Sequence, residues 1–291
     1  MASQVKSDLP VAAEQGFKDA ASYDAHRPSY PPEAVEAFLS KLKVAHQPGA
    51  KIVEIASGTG KFTELLARRP EGFAVKAVEP HHGMREKLVQ KRLSGVDVVE
   101  GKADKVPVDD EWGNACIAAQ AFHWFATPEA LKEIDRVLKP GAVLGAIWNI
   151  EDYNKPRSWD ASTKWEQKLN DFVWSLDDGL PRFRHQKWRD VFQEQLPGNP
   201  LRAIRDTLTN SLPNFTLPLG EDTVKWTVWL GEEALASRLN TLSQIAVLKG
   251  EKRAAWVRLF EETIRGDDVE RNEKGEIAVH GLTYFFWTDR L

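Results

Sequence analysis

The chain has 291 residues, 42% of them hydrophobic, and a formal net charge of −4, which is enough apolar mass for one large α/β domain with an added cap and no general field for a phosphate backbone. Nucleic acid is therefore not expected as a partner, and a small molecule is. The single cysteine, Cys116, excludes a disulfide framework, while the absence of a signal-peptide core in residues 1–19 and of any run near the ~20 apolar residues of a membrane span predicts a cytoplasmic protein with no membrane partner.

Residues 51–56, Lys-Ile-Val-Glu-Ile-Ala, form an apolar strand that runs into the turn Ser57-Gly58-Thr59-Gly60, with a helix from about Lys61. Such a turn lets a ligand approach bare backbone and helix-start N–H groups closely. A second strand, residues 74–78, ends at Glu79, an acid roughly 20 residues past the glycines and so suited to accept both hydroxyls of a ribose. The pyrophosphate-binding fingerprint of NAD and FAD also needs a third glycine, and Thr63 stands there. A fourth strand spans residues 114–119, with Cys116 inside it as a small buried residue, and another spans 143–148.

Strands alternating with helices predict a doubly wound, mostly parallel sheet, whose ligands sit at the carboxyl ends of the strands; Glu54, Glu79, Asp104 and Gln120 all fall there. Beyond Trp148 the alternation stops. Residues 151–195 read as mostly helical, 214–219 as a sixth strand despite two prolines, 221–265 as helices and 276–287 as a last strand. No His, Cys and carboxylate cluster has metal-ligand spacing, so no metal site is expected.

The segment from Glu54 through Ala56, Ser57 and Gly58 to Gly60 resembles motif I of the class I S-adenosylmethionine (SAM) methyltransferases, with Ala56 in place of the first glycine. Glu79-Pro80-His81-His82-Gly83-Met84 is similar to the family's acid-x-x-x-x-Met segment, in which the acid holds the ribose and the Met packs on adenine. Gly101-Lys102-Ala103-Asp104-Lys105-Val106-Pro107 resembles the stretch that lines the adenine pocket, although Lys102 replaces the acid that caps the adenine amino group, a contact left to Asp104 or to backbone. Gln120-Ala121-Phe122-His123-Trp124-Phe125 matches the x-A-x-H-W-F segment of a branch related to trans-aconitate methyltransferases. Tyr23 and Arg27-Pro28-Ser29-Tyr30-Pro31 resemble the segment that this branch folds over its cofactor.

The resemblance implies a Rossmann-like sheet of seven strands with the last antiparallel, and a helical cap inserted after the core. It divides the chain into an N-terminal lid and first helix (1–48), a SAM-binding core (49–150), a helical cap or substrate insertion (151–213) and a C-terminal part of the core (214–291). The implied cofactor is SAM, leaving as S-adenosylhomocysteine (SAH), with Tyr30 and the strand-end residues just named as its contacts, Gln120 and Ala121 included.

Methyl transfer is an in-line displacement that needs alignment and exclusion of water more than a strong catalytic group. His123 is the candidate general base, or else a ring that fixes its loop. Tyr23, Trp124 and Trp148 are expected to wall the acceptor, and the tryptophan-rich insertion suggests an apolar or aromatic one. The basic run from Arg182 to Arg189 reads as a solvated helix face in preference to an anion site. Three readings stay open: a methyltransferase acting on a small organic acceptor, a protein of the same fold that binds SAM without methylating, and an NAD(P)-dependent oxidoreductase. Monomer and homodimer are equally compatible with the sequence.

Overall fold

The computed structural model describes residues 29–193 and 214–291. Its strands are β1 (Lys51–Ile55), β2 (Ala74–Val78), β3 (Val96–Val99), β4 (Gly113–Ala119), β5 (Leu138–Glu151), β6 (Gly220–Leu230) and β7 (Ile277–Asp289), joined in one sheet of order β3-β2-β1-β4-β5-β7-β6. Four of the five residues of β1 are buried, the continuous apolar run of a strand covered on both faces. β1 pairs in parallel with β2 (Ile55 opposite Val78) on one side and with β4 (Val53 opposite Cys116) on the other. β2 with β3 and β4 with β5 are parallel too, and β7 alone runs against the rest. The expected doubly wound, mostly parallel seven-stranded sheet is thus present, and its order reverses between β1 and β4, where such sheets bind ligands.

The chain forms two compact units. One comprises Tyr30–Trp148, Pro181–Val224 and Thr283–Leu291. Here α1 (Pro32–Lys41) starts on Pro31-Pro32, whose fixed φ suits a first turn, and buries Ala34, Val35, Phe38 and Leu39. Phe38 meets Phe62 and Phe285 edge-on at 6.0 and 5.5 Å. A Cβ on Gly145 of β5 would lie 2.5 Å from Leu42 and 2.7 Å from Phe38, so glycine lets the chain just past α1 and Phe38 sit directly on the sheet. The helices α2 (Lys61–Ala67), α3 (His82–Gln90) and α4 (Pro128–Val137) follow β1, β2 and β4, and α6 (Asp190–Gln193) ends this stretch of described chain.

The other unit includes Asn149–Leu180 and Lys225–Leu282. Its core gathers Trp165, Leu169 and Val173 of α5 (Lys164–Ser175), Leu235 and Leu239 of α7 (Glu232–Asn240), Ile245 of α8 (Ser243–Ala246), and Trp256 and Phe260 of α9 (Gly250–Thr263). The Trp226 ring crosses Gly281, where a Cβ would come within 2.4 Å of it.

One expectation is corrected and another refined. The sixth strand is Gly220–Leu230 and not 214–219, and it occupies the first ten residues of the stretch read as helical. Pro218 cannot donate to a ladder, whereas Val224, Trp226, Val228 and Leu230 alternate with more exposed neighbours as an edge strand requires. Residues 151–193 carry their helix in pieces: α5 is the one long helix, with the short α6 and three-residue 3₁₀ turns at Asp152–Asn154, Phe183–His185 and Lys187–Arg189. Pro156, Gly179 and Pro181 interrupt the rest.

Candidate cofactor and acceptor site

The turn after β1 is built from left-handed backbone. Ala56, Gly58 and Gly60 have φ of 56°, 59° and 87°, a region that costs an L residue roughly 1–2 kcal/mol and glycine nothing. Ala56 bears that cost where the family carries glycine. A Cβ on Gly60 would lie 2.3 Å from Leu88 Cδ1, so glycine is required there. At Gly58 the nearest atom to such a Cβ would be Met84 Sδ at 3.8 Å, which leaves the turn open and sets Met84 beside it.

Glu79 follows β2 and is 4% exposed. Its Oε2 accepts the Gly58 N–H at 2.8 Å and its Oε1 accepts the His81 N–H at 2.7 Å. Burial pushes this carboxyl above the usual range, and those two N–H groups and the Arg85 charge pull it back. Each oxygen has a second lone pair, so the group can accept two hydroxyls as well. Arg85 donates to the carbonyls of Glu79 (3.0 Å) and Pro80 (3.1 Å) and pairs with Glu100, fixing the loop. His81 Nδ1 accepts the Met84 N–H at 3.3 Å and caps α3.

Glu54, inside β1, is 1% exposed and accepts from Thr63 Oγ1 at 2.7 Å. Burial raises its carboxyl to about 8, against the pull of Thr63 and with a further push from the Glu79 charge. Glu54 is thus mostly protonated at neutral pH. Sequence reasoning noticed Thr63 only as a missing glycine; a hydroxyl one helical turn past a glycine turn, facing a strand acid, was the signal for its role. Arg85 was missed as well.

The loop after β3 carries Lys102 and Ala103, both half-buried, and Asp104, exposed at a tight turn closed by the Lys105 N–H on the Lys102 carbonyl at 3.1 Å. Glu133 Oε2 accepts the Val106 N–H at 2.9 Å, and Arg136 donates to the carbonyls of Val106 (2.7 Å) and Val108 (2.8 Å), so α4 holds this loop in place.

After β4, half-buried Gln120 has φ 59° and donates its N–H to the Ile147 carbonyl at 2.8 Å; Ala121 is buried, and Phe122–Trp124 form a 3₁₀ turn. His123 and Trp124 are half-buried, their rings 5.0 Å apart. His123 Nδ1 accepts from Trp148 Nε1 at 3.0 Å. Trp148 has no exposed surface and packs against Phe183 (4.9 Å), Trp188 (5.3 Å) and Phe286 (6.0 Å). Tyr30 is buried edge-on to Phe62 at 5.1 Å. Tyr23 lies outside the described residues.

These contacts gather Glu54, Thr63, Gly58, Gly60, Glu79 and Met84 into one cluster, while the loop bearing Lys102 to Asp104 and the His123–Trp148 pair form two further groups. The basic run is no solvated helix face. Arg182 and Arg184 are buried, and Arg189 lies over Trp188 at 4.6 Å while pairing with Glu221 and Tyr284. Among the described residues no group of His, Cys, Asp and Glu could hold a metal ion, and no helix is long and apolar enough to cross a membrane.

A family model described as "Methyltransferase domain" matches residues 53–145. An uncharacterized methyltransferase-like protein of Schizosaccharomyces pombe is 34% identical over 188 residues, covering 64% of this chain and 67% of that protein. A second uncharacterized methyltransferase of the same yeast is 32% identical over 200 residues, covering 68% and 72%. Among solved structures, a protein of Anaeromyxobacter dehalogenans provisionally named a type II methyltransferase superposes with a TM-score of 0.55 at 17% identity, covering 90% of this chain and 97% of that one.

Proposed function

Since the chain belongs to the class I SAM-dependent methyltransferases, we propose that it transfers the methyl group of SAM to a small organic acceptor and releases SAH. The observation that carries the cofactor assignment is Glu79: a buried carboxylate whose two oxygens are oriented by the Gly58 and His81 N–H groups at 2.8 and 2.7 Å, each with a lone pair to spare. That is the pattern a vicinal ribose diol satisfies. Gly58 leaves room beside it, and Met84 Sδ supplies an apolar wall for a purine.

In this reading the core of residues 49–150 carries all the cofactor contacts but Tyr30. Glu54 and the turn of Ala56, Ser57, Gly58 and Gly60 face the methionyl part, Glu79 and Pro80 the ribose, and Met84, Lys102, Ala103 and Asp104 the adenine; Tyr30, Gln120 and Ala121 complete the contacts. SAM supplies a methyl carbon already activated by its sulfonium. The protein then has to hold the acceptor in line and keep water out, which alignment alone can accelerate strongly. His123 is the group on the acceptor side, and Trp124 and Trp148 shape its surroundings. A nicotinamide cofactor fits less well, because the position of the third glycine holds Thr63, which is committed to Glu54 at 2.7 Å.

Calorimetric titration with SAH, beside NADH, tests the reading. Binding of SAH alone is expected, with Glu79→Ala weakening it about 100-fold, the worth of two hydrogen bonds to a charged group at roughly 1.5 kcal/mol each. Binding of NADH, or an unchanged affinity in Glu79→Ala, would sink it. A wild type that binds SAH but methylates no small acid, amine, phenol or alcohol would turn the protein into a SAM-binding module.

A further inference from the structure

The geometry points to a hydrogen-bond-donating His123, held in that state by Trp148, in place of a proton-accepting one. This rests on the methyl-transfer reading only for its consequence, since the tautomer is a property of the protein itself. An indole N–H donates and never accepts. At 3.0 Å from Trp148 Nε1, His123 Nδ1 is therefore the acceptor, and the proton of the neutral ring sits on Nε2.

For His123 to take a proton at Nε2, that nitrogen would first have to be bare, with the ring proton on Nδ1 facing the indole N–H. Two donors would then oppose each other in a part-buried contact. Trp148 cannot turn aside, and the backbone that carries His123 is fixed. Trp148 is 0% exposed and wedged by Phe183, Trp188 and Phe286. The His123 loop is closed by the Trp124 N–H on the Ala121 carbonyl at 2.9 Å and the Phe125 N–H on the Phe122 carbonyl at 3.1 Å. Trp148 is thus a positioning residue that acts through His123 from 25 positions further along the chain.

The consequence concerns the acceptor. Its attacking atom forms the new bond to the methyl carbon with a lone pair it already has; the carbon–sulfur bond breaks with its electrons staying on sulfur, and no proton passes to His123. Glu54 and Glu79 do not substitute as bases, Glu54 being buried beside Thr63 with its own proton in place at neutral pH and Glu79 being directed at the ribose in the proposed function. Acceptors whose attacking atom is an anion, such as a carboxylate oxygen, or an unprotonated nitrogen at neutral pH fit this arrangement. Alkyl alcohols, which must shed a proton, do not.

Long-range ¹⁵N–¹H spectra of protein labelled at histidine nitrogens test the tautomer directly. The wild type is expected to show His123 with bare Nδ1 and protonated Nε2, and Trp148→Phe to populate the other tautomer; a wild-type His123 protonated at Nδ1 overturns the inference. Assays with labelled SAM and a panel of small acids, amines, phenols and alkyl alcohols test the consequence. His123→Ala should lower kcat about tenfold, the value of one hydrogen bond, and His123→Gln, whose amide N–H stands in for Nε2–H, should bring it back to within about threefold. A His123→Gln as slow as His123→Ala, or alkyl alcohols as the best acceptors, also overturns it. Should no member of the panel be methylated, the spectra decide alone. Failure of the wild type to bind SAH would remove the proposed function and leave the tautomer standing, whereas SAH binding with a proton on Nδ1 would remove this inference only.

Discussion

At the ends of β1 and β2, Glu54 and Glu79 are buried against neutral donors, the Thr63 hydroxyl and the main-chain N–H groups of Gly58 and His81. In the unit that includes Asn149–Leu180 and Lys225–Leu282, two buried carboxylates, Glu151 and Glu166, meet a cation or a group that can become one. Glu151 Oε1 accepts from Arg238 Nε at 3.0 Å, and Glu166 takes the His280 N–H at 2.7 Å, the His280 ring at 3.0 Å and the Thr163 hydroxyl at 2.7 Å. Glu151 and Glu166 are thereby tied to groups of their own unit. The donors bonded to Glu54 and Glu79 are all neutral, which under the proposed function is how a site for a hydroxyl-rich, cationic ligand differs from a structural ion pair.

The sharpest way to break this comparison is Arg238→Ala, which strands Glu151 in a core where the pair's side chains are 5% and 3% exposed. A loss of about 3–5 kcal/mol in urea unfolding is expected, with much of it recovered when Glu151→Leu is added. A loss below ~1 kcal/mol would mean that the pair is not structural. The β1 end responds to pH instead. With a folded value of about 8 against an ordinary 4.5, Glu54 keeps its proton in the folded state over a range in which the unfolded chain has released it. Its contribution to stability is therefore largest at low pH, declines by up to ~1.4 kcal/mol per pH unit between about 4.5 and 8, and is flat above. Glu54→Gln should abolish that slope in thermal melts of the ligand-free protein, and a slope unchanged in the variant would assign it elsewhere.

The same division separates what was legible in the sequence from what was not. The β1–turn–β2 unit could be read because each part is local: an apolar run, two glycines forced by left-handed backbone and by the Leu88 contact, and an acid at a strand end. The pairing of His123 with Trp148 could not be read, because a hydrogen bond across 25 positions depends on the register of β4 against β5, with Ala119 opposite Ile147. β6 could have been found. The alternation of Val224, Trp226, Val228 and Leu230 is a period-2 signal, and it was passed over for the more apolar stretch before it. The buried Arg182 and Arg184 show a different limit. A run of cations looks solvated until tertiary packing covers it.

Thr63 yields the smallest and most discriminating effect. Thr63→Val keeps the shape of the side chain and removes the donor to Glu54 Oε2 at 2.7 Å. Below pH 7 Glu54 is mostly protonated, and the lost bond is one between neutral groups, worth about 0.5–1.5 kcal/mol; at pH 9 the carboxylate is ionised and the same bond is worth about 1.5–3 kcal/mol. The variant should therefore cost more in urea unfolding at pH 9 than at pH 6, Thr63→Ser should recover the difference, and the falling limb of the pH–stability curve should extend to higher pH because Glu54 holds its proton more tightly. Equal costs at both pH values would show that the hydroxyl serves packing alone. In that case burial and the Glu79 charge would set the Glu54 carboxyl without help from the helix that follows the glycine turn.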